Sequence, residues 1–225
     1  MRKLLLSCCL MLVSASALQA QTLADYDYEN LTFRGFGFDY GIIWPNKVES
    51  TDQFGVRLDL GFLGPAVRLS STLSYWSSSF RESELQRLAD RLEQLPALQA
   101  QGVDLTAADL GRVSWSDVSA TVDAHMVWTV PGNIITFLGA GVGIHALNGR
   151  GDSIEDTFIE DLLDSISPAV AFSAGAEYQL AQRIRLYGEG RYTLLSDIHY
   201  PGVRAGVAIM LPQRPATAGT TETVR

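Results

Sequence analysis

From Val118 to Val130 the chain alternates without a break. Val118, Ala120, Val122, Ala124, Met126, Trp128 and Val130 fall on one side; Ser119, Thr121, Asp123, His125, Val127 and Thr129 fall on the other. A period of two marks a β-strand whose two faces meet different surroundings. Seven further segments carry the same pattern, so that the predicted strands are Phe33–Trp44, Gln53–Phe62, Ala66–Ser77, Val113–Val130, Ile134–Ala146, Ala169–Leu180, Ile184–Leu195 and Gly202–Leu211. Each reaches the ~9–11 residues that a tilted strand needs to cross a bilayer. No apolar run is long enough for a transmembrane helix. A chain of this kind enters lipid only as a closed sheet, in which every backbone group finds a partner.

The first residues read as an export signal. Arg2 and Lys3 precede an apolar stretch, Leu4 to Val13, that is too short to span a membrane, and Ala15-Ser16-Ala17 and Ala20 offer cleavage sites. The expected organisation is a signal peptide over 1–20, a periplasmic segment over 21–32, a barrel over 33–211 and a disordered tail over 212–225, the last from its Pro-, Thr- and Ala-rich composition. Both cysteines, Cys8 and Cys9, lie inside the leader, so the exported chain has neither a disulfide nor a cysteine metal site. Leu5-Leu6-Ser7-Cys8 loosely resembles a lipobox, but it leaves almost no apolar region before the cysteine. Without Arg2 and Lys3 the 17 basic residues become 17 − 2 = 15 against 25 acidic ones, a net −10. That balance argues against nucleic acid as a partner.

Connections alternate in length. Leu63-Gly64-Pro65, Pro131-Gly132-Asn133 and Ala181-Gln182-Arg183 are tight hairpins, and the other four connections are longer and polar. Two long loops carry helical patterns. Ser83 with Gln86 has capping-box spacing ahead of Leu85, Leu88, Leu92 and Leu95; Ser153 with Asp156 precedes Ile154, Phe158, Leu162 and Ile166.

The minor face tells inside from outside. It carries Gly35, Gly37, Gly41, Gly55, Gly61, Gly139, Gly141, Gly143, Gly175 and Gly206, far more glycine than a solvated strand face needs. It also carries Arg57, Arg68, Arg185, Arg191 and Arg204 against Asp39, Asp59, Asp123, Glu177 and Glu189. Small residues and matched charges suit the interior of a narrow barrel, where a confined charge must be paired. These ten residues are the expected interior ion-pair network. The other face, with Phe36, Phe38, Tyr40, Phe54, Leu73, Val142 and Phe172 among its members, would meet lipid. Trp44, Tyr75, Trp115 and Tyr192 at the loop side and Phe62, Trp128 and Tyr178 at the turn side form two expected aromatic girdles.

On these features the chain resembles the small eight-stranded outer-membrane barrels of the OmpA/OmpX type, over about Phe33 to Leu211. The resemblance implies an all-β fold: an eight-stranded antiparallel up-and-down transmembrane β-barrel with short helices in two long outer loops. It implies a bacterial outer-membrane location, contact with outer-membrane lipid and lipopolysaccharide, insertion by the barrel-assembly machinery, and a plugged interior without an open channel. The last strand departs from the family pattern: Arg204 to Leu211 carries aliphatics where an aromatic assembly signal is usual.

Motifs of other chemistries are weak. His125 lies two residues from Asp123 on the inner face, where a structural hydrogen bond is expected, and no nucleophile accompanies His125, His145 or His199. The acidic run Asp152, Glu155, Asp156, Glu160, Asp161 and Asp164 lacks EF-hand spacing and reads as a solvated face. Arg150-Gly151-Asp152 is too short to carry weight, and Gly139 to Gly143 lies mid-strand, where it is not a phosphate loop. The expected role is a non-enzymatic barrel that is structural or binds through its outer loops, with no cofactor and no metal. A barrel that binds or passes a small hydrophobic ligand is the alternative, and a lipid-modifying enzyme using His125 or His145 is a third reading.

Overall fold

The large apolar side chains of this protein point outward. Phe38, Phe54, Val118, Met126, Leu138 and Val142 are each more than half exposed, whereas Asp39, Arg57, Arg68, Asp123, Glu177 and Glu189 are buried. The computed structural model that gives this arrangement describes residues 31–64, 66–94, 106–151 and 163–212. The expected signal peptide lies outside the described residues, as do most of the segment after it and all of the tail beyond Pro212.

Eight strands form the molecule: β1 (Gly35–Ile43), β2 (Thr51–Gly64), β3 (Val67–Ser79), β4 (Val113–Val130), β5 (Ile134–Gly151), β6 (Ser165–Ala181), β7 (Ile184–Leu195) and β8 (His199–Met210). Each pairs antiparallel with the next, and β1 pairs with β8 to close the barrel. Closure removes both sheet edges, so the ladder holds the backbone polar groups that lipid could not satisfy. β4 and β5 pair without a shift from Val113↔Gly151 to Val130↔Ile134. The exposed apolar side chains make a continuous band, far beyond the ~300–600 Å² of the largest apolar patch on a soluble monomer. The barrel is therefore built for lipid, with its polar face inside.

The three hairpins stand where their turn chemistry puts them. Gly132 (φ 91°) and Asn133 (φ 60°) take left-handed backbone between β4 and β5, and Ala66 (φ 60°) does so between β2 and β3. The opposite end differs from expectation at one connection. β8 starts at His199 rather than Gly202, so only Ser196 to Ile198 join it to β7, and Leu195 N donates to Ile198 O at 2.9 Å. Here the strands simply rise higher and the loop is short. β6 likewise begins at Ser165, which puts Ile166 in a strand, 81% exposed, and not on a helix. The rest of that expected helix lies outside the described residues.

Helix α1 (Glu82–Glu93) fills the β3–β4 connection, with a single further turn, α2 (Ala107–Leu110), beside it. The capping box does not form: the N-cap is Arg81, with no side-chain cap hydrogen bond, and Ser83 lies inside the first turn. Glu82 and Glu84 there still suit the positive end of the helix dipole. Leu85, Ala89 and Leu92 make its buried face; Leu95 lies outside the described residues.

Glycine works by absence of volume on β5. A Cβ at Gly139 would run into the His125 ring, and one at Gly141 into the Asp123 carboxylate. Gly61 does otherwise. With φ 88° it sits in a bulge where β2 slips against β3, its N–H donating to Asp59 Oδ1 at 2.9 Å. Gly141→Val is expected to cost ~1–3 kcal/mol or more by overpacking. Gly188→Ala, with no heavy atom within 4 Å of the new methyl, is expected to be neutral or to stabilise by up to ~1 kcal/mol. Urea midpoints of the two variants in vesicles check this.

Candidate functional site

Seven of the eight strands send charge into the lumen, and β5 supplies the glycines that make space for it. Glu189 on β7 is the hub. It meets Arg57 from β2, Arg204 Nη2 from β8 at 2.7 Å, and Arg191 Nη1 at 3.7 Å, and its side chain is wholly buried. Arg191 Nη1 also reaches Asp123 Oδ1 at 2.9 Å, and Arg204 Nη1 lies 3.7 Å from Asp39 Oδ1. The Tyr187 hydroxyl donates to Asp39 Oδ2 at 2.7 Å. Nearer the turns, Arg68 forks onto Glu177 with bonds of 2.9 and 2.5 Å, with Asp59 at 4.0 Å and Arg185 3.5 Å from the same glutamate. The structure thus brings together all ten of the charges assigned to the interior.

Two rings stiffen this assembly. The Arg57 guanidinium stacks 4.3 Å from the Tyr187 ring centre, and Arg57 and Arg68 lie 5.9 and 5.8 Å from that of Phe137. Planar guanidinium suits such stacking and bidentate pairing at once. Between them lies a cavity of about 20 Å³ lined by Arg57, Arg68, Glu177 and Tyr187, room for roughly one water.

The histidines occupy places their spacing did not reveal. His125 does not bond Asp123, which is taken up by Arg191 and by the Thr121 hydroxyl at 3.2 Å. Instead the His125 ring nitrogens face Ser70 Oγ at 3.4 Å and Ser173 Oγ at 3.2 Å. The Asp–His pair is another one: His145 Nδ1 lies 2.7 Å from Asp117 Oδ2, both side chains almost wholly buried. Asp117 stands on β4 six residues before Asp123, and His145 on β5 opposite Ser119, six residues before His125; nothing in the local sequence marks the pair. Among the described residues no group of three His, Cys, Asp or Glu side chains is placed to hold a metal ion.

Above the charges the lumen turns apolar. Trp76, Phe80, Val113, Trp115, Leu147 and Tyr200 pack there, and α1 lays Leu85, Ala89 and Leu92 over them. Phe80 and Trp115 stack at 4.9 Å and Trp76 meets Tyr200 edge-on at 6.0 Å. Arg81 fixes the entry to α1: its Nε donates to Val48 O at 2.9 Å and its Nη2 to Pro45 O at 3.0 Å. Together these side chains close the loop-side mouth.

That cap corrects the girdles. Trp115 is 5% exposed and points inward, its indole N–H donating to Leu163 O at 2.9 Å. Counting back by twos from Asp123 would have placed it there. Phe62 is buried as well, because the bulge at Gly61 turns it inward opposite Arg68, with the Arg34 guanidinium 4.9 Å from its ring centre. Trp44, Tyr75, Tyr192 and Tyr178 are exposed on the outer face, and Trp128, half-buried, shares the outward register of Met126.

This fold has counterparts among solved structures. Neisserial surface protein A is similar at 12% identity and a TM-score of 0.50, over 79% of this chain and 97% of that one. Ail, the attachment invasion locus protein of Yersinia pestis, gives 11% identity and a TM-score of 0.48 over the same shares. The N-terminal β-barrel domain of Pseudomonas aeruginosa OprF gives 12% and 0.43, again over 79% and 97%. No protein-family model and no curated protein matches the sequence.

Truncating a buried partner should be costly. Arg191→Ala strands Asp123, and Glu189→Gln takes the carboxylate from Arg57 and leaves Arg204 and Arg191 only Asp39 and Asp123; each is expected to lower stability by ~3–5 kcal/mol. Arg150→Ala, on an exposed outer position, should change it by less than ~0.5 kcal/mol. Equilibrium unfolding of the three variants in the same vesicles is the measurement.

Proposed function

The fold is that of the small eight-stranded outer-membrane barrels of the OmpA/OmpX type. From it we propose that this protein is a closed, non-enzymatic barrel of the bacterial outer membrane, whose working surface is the capped loop end. The observation that carries this reading is the double filling of the lumen: an Arg–carboxylate network below, and an apolar cluster under α1 above. An ion crossing such a lumen would have to break buried pairs and then enter a hydrocarbon-like layer. Neither step is compatible with ready conduction. A cap packed like a small core also holds its described neighbours, Arg81 and Val48 among them, in fixed positions, which is what a surface for recognition requires.

The enzymatic alternative rests on Asp117 and His145. The Asp–His orientation suits general-base work, and His145 Nε2 has no hydrogen-bond partner among the described residues. Yet the pair is sealed beneath the cap, with side chains 0% and 2% exposed, where no substrate reaches it. Burial favours a structural role.

In planar bilayers the purified protein should show no resolved conductance steps; steady unitary openings would refute closure. His145→Ala and His125→Ala should leave the lipid A profile of a native host unchanged. A changed profile in either would move the protein to the enzymes.

A further inference from the structure

At the turn end of the barrel the last residues of β8 run between β7 and β1. Met210 N donates to Arg183 O at 2.8 Å, and Leu211 N to Arg34 O at 2.7 Å. A groove of about 350 Å³ opens over this crossing. Met210, Leu211 and Pro212 line its middle; Arg34 flanks it on the β1 side, Arg183 and Arg185 on the β7 side. The described residues that line it thus bring three guanidinium groups and no carboxylate.

The arginines are held from the inner side. Arg185 Nη1 lies 3.5 Å from Glu177 Oε2, and the Arg34 guanidinium stands 4.9 Å from the Phe62 ring centre. Arg183, in the turn itself, is exposed. A guanidinium carries five N–H donors, so the Glu177 contact leaves Arg185 donors for a second acid. Like charges gathered in this way repel one another unless anions meet them. The sequence ahead of β1 has the matching chemistry. Asp25, Asp27 and Glu29 alternate with Tyr26 and Tyr28, a segment outside the described residues. An extended chain puts such alternating acids on one side and the rings on the other. The acids stand nine, seven and five positions before Arg34. At a reach of at most ~3.5 Å per residue, that length is enough to cross the groove from its Arg34 side.

We propose that this groove is the seat of the chain's own acidic segment, Asp25 to Glu29: carboxylates on Arg34, Arg183 and Arg185, and tyrosine rings against Leu211 and Pro212. A guanidinium takes a carboxylate through parallel charge-assisted bonds, and its face accepts an aromatic ring. The tether favours this occupant over a free anion, because a short linker holds the segment at an effective concentration on the order of millimolar. Docked there, the strap covers the Arg185 side of the turn-side mouth, as α1 covers the loop-side mouth. The contact depends neither on the lumen being closed nor on the membrane in which the barrel sits.

Disulfide formation between Ala24→Cys and Gln182→Cys tests it, Gln182 being at the β7 edge of the groove. The exported protein is purified in detergent; its native cysteines, Cys8 and Cys9, lie in the leader. The initial rate of linking reads the docked population. Asp25→Lys, Asp27→Lys and Glu29→Lys together should slow it by about tenfold, the scale of three exposed ion pairs. Arg183→Glu alone should slow it by about threefold, the scale of one such pair, and adding Asp25→Lys to it should restore the rate. Deleting residues 213–225 should leave the rate unchanged. A rate that the three lysines do not alter would overturn the contact, since tether length alone would then explain the linking. A rate that rises when 213–225 are deleted would also overturn it, since the groove would belong to the tail.

Discussion

A buried carboxylate surrounded by arginines is the constraint from which this structure follows. Glu189 touches Arg57, Arg204 and Arg191, and Arg204 and Arg191 reach Asp39 and Asp123 on other strands. A charge in such a lumen has little room for water beside it and depends on partners from across the barrel. The pairs therefore fix more than local contacts. They tie β2, β7 and β8 to β1 and β4, and so favour one register of closure over its neighbours. A slip of one residue would turn every charge toward lipid and every aliphatic inward.

The rest of the wall is arranged around that requirement. β5 gives up side-chain volume at Gly139 and Gly141 so that His125 and Asp123 can lie across it. The outward face, freed from any need to be polar, becomes the apolar band. Higher up, where the strands continue past the band, the inner face exchanges charge for Trp76, Phe80 and Trp115, and α1 covers them. The barrel thus has two interiors of opposite chemistry, polar toward the turns and apolar toward the loops. Both are filled, and that is the physical basis for reading it as a closed support for a surface.

Much of this could be read before any coordinates. Strand β4 carries its alternation over its whole length, and the matched Arg and carboxylate positions on one parity are enough to say which face is inside. Phe62 was hidden because a bulge adds one residue and reverses parity beyond it, and Gly61 reads the same in sequence whether it bulges or packs. Trp115 lay open to the same counting that placed Asp123, but an aromatic near a strand end resembles a girdle residue. The cap had no such signal. It draws on Val48, Ile198 and Tyr200 from three separate connections and strands, and only closure of the barrel brings them together. For the same reason the Asp117–His145 pair, on adjacent strands but 28 positions apart, escaped a reading based on local spacing.

The central claim is that the lumen is dry enough for its ion pairs to be coupled. A double-mutant cycle on Arg68 and Glu177, whose bidentate bond crosses from β3 to β6, measures this most directly. Arg68→Met, Glu177→Leu and the double variant would be unfolded with urea in vesicles of one composition. The account predicts that each single change costs ~3–5 kcal/mol while the double costs clearly less than their sum, since removing both charges leaves only the looser partners Asp59 and Arg185 to be satisfied. Additive losses would contradict it and would mean that water, not the opposite charge, satisfies each group.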